Sequence, residues 1–133
     1  SGTIPMTPTT IDFDFGEVVL VRFPFTDQRG SKQRPAAIVS SPIYHRHRPD
    51  RIILAITSRT GVDEDFGVHQ LRDWKAAGLL KPSAFKPVIT TVESDLILRR
   101  LGRLTATDRS ILTDLLATMI GPLPESRESA PDS

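Results

Sequence analysis

Apolar and polar positions along this chain fall into short blocks of strand character, separated by polar, proline-bearing or glycine-bearing runs, with one block of helical spacing near the end. Glu17–Phe23 is almost unbroken apolar and rich in valine, which suits a strand covered on both faces. Residues 34–41 repeat that character. Between them, Pro24 and the run Thr26-Asp27-Gln28-Arg29-Gly30-Ser31-Lys32 carry turn chemistry and cannot build core, so the two blocks predict a hairpin with a basic, mobile loop. Residues 52–57 predict a third strand and 68–71 a short one. Residues 86–92 are β-branched and apolar enough for another, and 96–104 predict a final strand around Gly102.

The connections carry their own signals. Pro42-Ile43-Tyr44-His45-Arg46-His47-Arg48-Pro49-Asp50 is bounded by prolines and dense in cations, and reads as an exposed loop, either a solvated connection or a phosphate-tracking patch. Residues 59–67 form a second long polar loop whose acids Asp63, Glu64 and Asp65 read as solvation, or as a charge that repels a polyanion. Trp74 to Ala77 predict one helical turn ended by Gly78, with the only tryptophan plugging the end of the core. Thr105 is placed to cap a helix, with Asp108 favourable at its third position for the helix dipole. Ile111, Leu112, Leu115, Leu116, Met119 and Ile120 then recur at helical spacing, giving one apolar face for the sheet or a second subunit, and Gly121-Pro122 stops the helix.

At 133 residues the chain is expected to hold one domain, 13–121, between disordered segments 1–12 and 122–133. Ser1 to Pro5 read as residues left by an expression vector, with Met6 as the native start. A hydrophobic content of 38% supports a modest core that leans on a partner surface. The net charge of +1 points to no partner class by itself, so only local clustering can. With no cysteine, disulfides, thiol nucleophiles and cysteine zinc sites are excluded. No apolar run approaches the roughly 18 residues of a membrane span, and no signal segment is visible, so a cytoplasmic location away from membranes is expected. Three histidines without a supporting pattern make no metal site.

Several separated blocks resemble one family. They are Gly16-Glu17-Val18-Val19-Leu20-Val21, Phe23-Pro24-Phe25-Thr26-Asp27 and Gly30-Ser31-Lys32-Gln33-Arg34-Pro35-Ala36, followed by Ile56-Thr57-Ser58, then Trp74 with Gly78-Leu79-Leu80-Lys81-Pro82-Ser83, and Gly102-Arg103-Leu104. From about Gly16 to Ile120 the chain is similar to the MazF/PemK (Kid-like) toxins of toxin–antitoxin pairs. That resemblance implies a mainly β fold with a C-terminal helix, a small SH3-like barrel acting as a homodimer. It implies cleavage of single-stranded RNA with neither metal nor other cofactor, and neutralisation by a cognate antitoxin whose acidic and apolar tail occupies the RNA groove.

Such cleavage is attack by a 2′-hydroxyl on its own neighbouring phosphorus. It needs a proton acceptor, a proton donor and fixed positive charge facing the phosphorane. Arg34 sits where polar loop becomes strand, and its planar fork matches two phosphate oxygens, with Pro35 fixing the backbone after it. Thr57 and Ser58 end the third strand, where hydroxyls and N–H groups can bind a phosphate oxygen. The resemblance makes Arg34 and Thr57 the catalytic candidates and Lys32, Gln33, Ser58, Arg59, Lys81 and Ser83 substrate-binding candidates, to which His45 and Arg46 are added from the cationic run. Where Kid-like members carry an arginine and an aspartate as acid and base, the aligned segment here is Lys81-Pro82-Ser83. Lysine keeps the charge but serine is no base at neutral pH. The proton acceptor is then Thr57 acting with Arg34, a histidine, or a water held by Ser83. Arg99, Arg100 and Arg103 bracket Gly102 as an RNA or partner contact. The alternatives are a CcdB-like toxin that binds DNA gyrase without catalysis and, with one Trp and one Tyr available, a peptide-binding SH3-like module.

Overall fold

The computed structural model describes residues 13–23, 32–58 and 69–122. The first hairpin loop, the whole acidic loop 59–67 and residues 1–12 and 123–133 therefore lie outside the described residues. In order come β1 (Glu17–Phe23), β2 (Lys32–Ile38), α1 (Pro42–His47), β3 (Asp50–Thr57), β4 (His69–Gln70), β5 (Ala84–Glu93), a 3-10 turn (Ser94–Leu96), β6 (Ile97–Arg103) and α2 (Ala106–Met119). The strands form one antiparallel sheet in the order β4-β5-β3-β2-β1-β6. Among the described residues the edge strands β4 and β6 do not pair, so the SH3-like barrel stays open.

Both faces of the sheet are covered, as the valine-rich β1 requires. Val19, Val21 and Phe23 point to a core shared with Phe13, Ile38, Ile53 and Ile97. Val18 points the other way, to a core with Leu54, Phe85, Leu112 and Leu115, onto which Trp74 packs. Each fully buried valine of β1 contributes about 1.5–3 kcal/mol of transfer free energy. The helix α2 covers the second of these faces with Leu112 and Leu115. Ile120 falls outside its apolar stripe, as the C-cap residue and 55% exposed.

Polar groups lock the elements where apolar packing cannot. Thr105 Oγ1 accepts from Asp108 N at 3.3 Å, as the N-cap pattern predicts. The Asp108 side chain is fully buried, and its two oxygens accept from the backbone N–H groups of Arg72 (2.8 Å) and Asp73 (2.9 Å). It is therefore a staple between α2 and the chain before the Trp74 turn, more than a dipole partner. Glu17, also buried, accepts from Arg100 Nε and Arg103 Nη2, each at 3.1 Å. Register puts Arg103 directly opposite it on β6.

Three expectations are corrected. Residues 42–47 are a helix, not a loop: Ser41 Oγ accepts from Tyr44 N, Pro42 opens the first turn, and His45, Arg46 and His47 lie in the last turn. Six residues are too few for periodicity to reveal this helix, but the Ser-Pro start is its signal. His45 and His47, two residues apart, would share a side in an extended chain and diverge on this helix. The second strand begins at Lys32 and ends at Ile38, because Lys32 and Gln33 extend the ladder opposite Phe23 and Arg22 while their side chains stay in solvent. The turn expected at 74–78 is present. Gly78 N donates to Lys75 O and Leu79 N to Trp74 O, with Gly78 at φ +87, a Schellman closure. Among the described residues no helix is long and apolar enough to cross a membrane.

Candidate functional site

The first hairpin, the end of β3 and the turn leading into β5 meet at one cleft of about 520 Å³. Register explains the meeting. The last β2–β3 pair is Ala36 with Ala55, and carried two residues further the same register sets Arg34 opposite Thr57. Here the ladder has opened, so Pro35 removes no β2–β3 hydrogen bond by lacking an N–H. Thr57 in turn pairs with Ala84, the first residue of β5, which brings Ser83 and Lys81 to the same place. β5 carries extra residues against β3 between the partners of Leu54 and Ile56, and Pro87 sits in that bulge.

Gln33, Arg34, Thr57, Ser58, Lys81 and Ser83 all line this cleft. Its floor is apolar, from Leu20, Pro35, Ile56, Leu79 and Leu101. Leu80 stands at the rim, 94% exposed. Arg34 and Lys81 are exposed, and Thr57 is half-buried. Ser83 is buried, and its hydroxyl donates to the Lys81 carbonyl at 2.9 Å, which fixes the turn and leaves the oxygen lone pairs to accept. The cations Arg34, Lys81 and Arg99 ring a cleft whose described lining contains no carboxylate. A polyanion meets positive charge and hydrogen-bond donors there, and a planar apolar group meets the floor.

Other sequence candidates are not brought to this cleft. Lys32 lies one residue beyond its lining, and Arg59 lies outside the described residues. His45 is held elsewhere: its Nε2 is 2.6 Å from Ser40 Oγ, which also accepts from Ile52 N, and its Nδ1 is 3.5 Å from Asp14. These contacts bind α1 to the sheet, and Arg46, exposed on the same helix, does not line the cleft either. Of the three β6 arginines, Arg100 and Arg103 are engaged by Glu17, whereas Arg99 lines the cleft. The run Leu98-Arg99-Arg100-Leu101-Gly102-Arg103 does not distinguish them, since β6 shifts register twice against β1. Among the described residues, no group of three or more histidines and carboxylates is arranged to hold a metal ion.

Comparison with known proteins bears on the fold and the family. An endoribonuclease in complex with its cognate antitoxin, from a mycobacterial species, superposes with a TM-score of 0.64 at 19% identity, covering 80% of this chain and 92% of that one. The Mycobacterium tuberculosis toxin MazF-mt6 gives 0.61 at 17% identity, covering 77% and 94%. The MazE-MazF structure from Deinococcus radiodurans gives 0.61 at 16% identity, covering 81% and 94%. At these identities the structures establish a shared fold. No curated protein matches the sequence. Residues 14–120, in contrast, match the family described as the PemK-like, MazF-like toxin of type II toxin-antitoxin systems. That match spans both cores, the cleft and α2, and the chain belongs to this family.

Proposed function

We propose that this protein is an endoribonuclease toxin that cuts single-stranded RNA in the cleft between β2, β3 and the 78–83 turn, without a metal ion. In the reaction the ribose 2′-oxygen bonds to phosphorus as its proton leaves, and the bond from phosphorus to the 5′-oxygen breaks as that oxygen gains a proton. The products are a 2′,3′-cyclic phosphate and a 5′-hydroxyl end. Arg34 neutralises the phosphorane oxygens, and Thr57 and Ser58 hydrogen-bond the phosphate beside it. Lys81, Gln33 and Ser83 hold the strand, and Lys32 and Arg59 add positive charge for it. The observation that carries this reading is the convergence of Arg34 and Thr57, from different strands, on one cationic cleft.

The working species in this reading is a homodimer in the cytoplasm, neutralised by an antitoxin whose acidic and apolar side chains replace RNA in the cleft. One of the similar structures is an endoribonuclease with its cognate antitoxin, which supports that partner. The gyrase-binding alternative is not favoured, because the family match is to PemK-like, MazF-like toxins. End-group analysis of cleavage products tests the chemistry. Ends that accept phosphate from polynucleotide kinase without prior phosphatase treatment are expected, whereas 5′-phosphate ends overturn the transesterification.

A further inference from the structure

We propose that Arg99 binds a phosphate flanking the one held by Arg34, and so sets the path of the RNA strand across β1. The inference rests on the ribonuclease reading of the cleft and assigns the cleft a second phosphate subsite.

Three observations carry it. Arg99 lines the cleft and is exposed, while its neighbours Arg100 and Arg103 are drawn to the buried carboxylate of Glu17. Leu20 of β1 pairs with Pro35 on one side and with Arg99 on the other, so Arg99 and the residue after Arg34 face each other across a single strand. Two strand spacings separate their backbones by about 9.5 Å. Arginine side chains rooted that far apart can reach neighbouring phosphates of one strand. Leu20, on the strand between them, and Leu101 line the same cleft, which offers a nucleoside an apolar surface while its phosphates reach the cations.

The test uses the full chain and a mixed-sequence, 2′-O-methylated single-stranded oligonucleotide that cannot be cut, with binding measured across a salt series. Losing one phosphate contact lowers the salt slope by about 0.7. Arg99→Ala is expected to weaken binding several-fold with that fall in slope, Arg99→Lys to keep the slope, and Lys75→Ala, a cation over the Trp74 ring, to change neither. Equal binding by Arg99→Ala and wild type, the same loss in Lys75→Ala, or no binding by wild type overturns the subsite. Because this strand is uncleavable, the result reads Arg99 even if the ribonuclease reading fails in its own assay. On cleavable RNA, Arg99→Ala is expected to raise KM with kcat nearly unchanged, and a fall in kcat matching that of Arg34→Ala overturns the flanking assignment.

Discussion

Gly78 and Gly102 meet backbone to backbone. A Cβ on Gly78 would overlap the Leu101 carbonyl, and one on Gly102 would overlap the Ala77 carbonyl. Gly78 also sits at φ +87, which closes the Trp74 turn. This contact seats the 78–83 turn on β6, and so sets Leu79 and Lys81 on one wall of the cleft and Arg99 and Leu101 on another. Both Gly78→Ala and Gly102→Ala are expected to lose more than about 2 kcal/mol of stability, since the obstacle is backbone and not a side chain that can swing away. Gly121→Ala, with nothing within 4 Å of the new Cβ, is the control and is expected to change stability little. Urea midpoints of the three variants check this.

Asp108 gives a second stability prediction. Asp108→Ala leaves two backbone donors, at Arg72 and Asp73, without their acceptor and empties a fully buried site. A loss of about 2–4 kcal/mol is expected, with a smaller loss for Asp108→Asn, which keeps one acceptor oxygen. Thr105→Ala removes the cap and is expected to cost about 1 kcal/mol. Denaturant unfolding with a common slope measures all three.

These contacts mark where sequence reasoning stops. The strands of both cores were legible, because valine-rich and β-branched runs report burial directly, and α2 was legible from its spacing and its threonine cap. The matched blocks around Arg34, Thr57 and Ser83 were also legible, although what joins them is register, which a linear string does not contain. The buried role of Asp108 was hidden because a carboxylate in a first helical turn already has a sufficient local explanation in the dipole. The helix α1 was hidden by its prolines and its length, although Ser41-Pro42 carried its start. Arg99 was indistinguishable from Arg100 and Arg103 until the bulges of β6 separated them.

Asp50 makes stability depend on pH. Its carboxyl accepts from Arg48 Nη2 at 3.1 Å and from Tyr44 Oη at 2.9 Å. The hydrogen bond from Arg48 is the main reason its pKa lies below the ordinary value of 3.8. A carboxyl lowered in the folded state stabilises fully above the unfolded pKa, and that contribution disappears as pH falls through the folded value. The stability difference between wild type and Asp50→Asn is therefore expected to be constant between about pH 5 and 7 and to shrink below about pH 4. Thermal unfolding of both proteins across this range checks the sign. A difference that grows on acidification contradicts it.

The charge placed by Arg34 at the cleft is the centre of the account. The most direct test incubates the folded protein with a mixed single-stranded RNA pool in excess EDTA, alongside Arg34→Ala and Thr57→Ala. Cleavage by wild type that persists in EDTA and falls by about 10²-fold or more in Arg34→Ala is predicted. Equal cleavage by wild type and Arg34→Ala, or a wild-type activity abolished by EDTA, would contradict it.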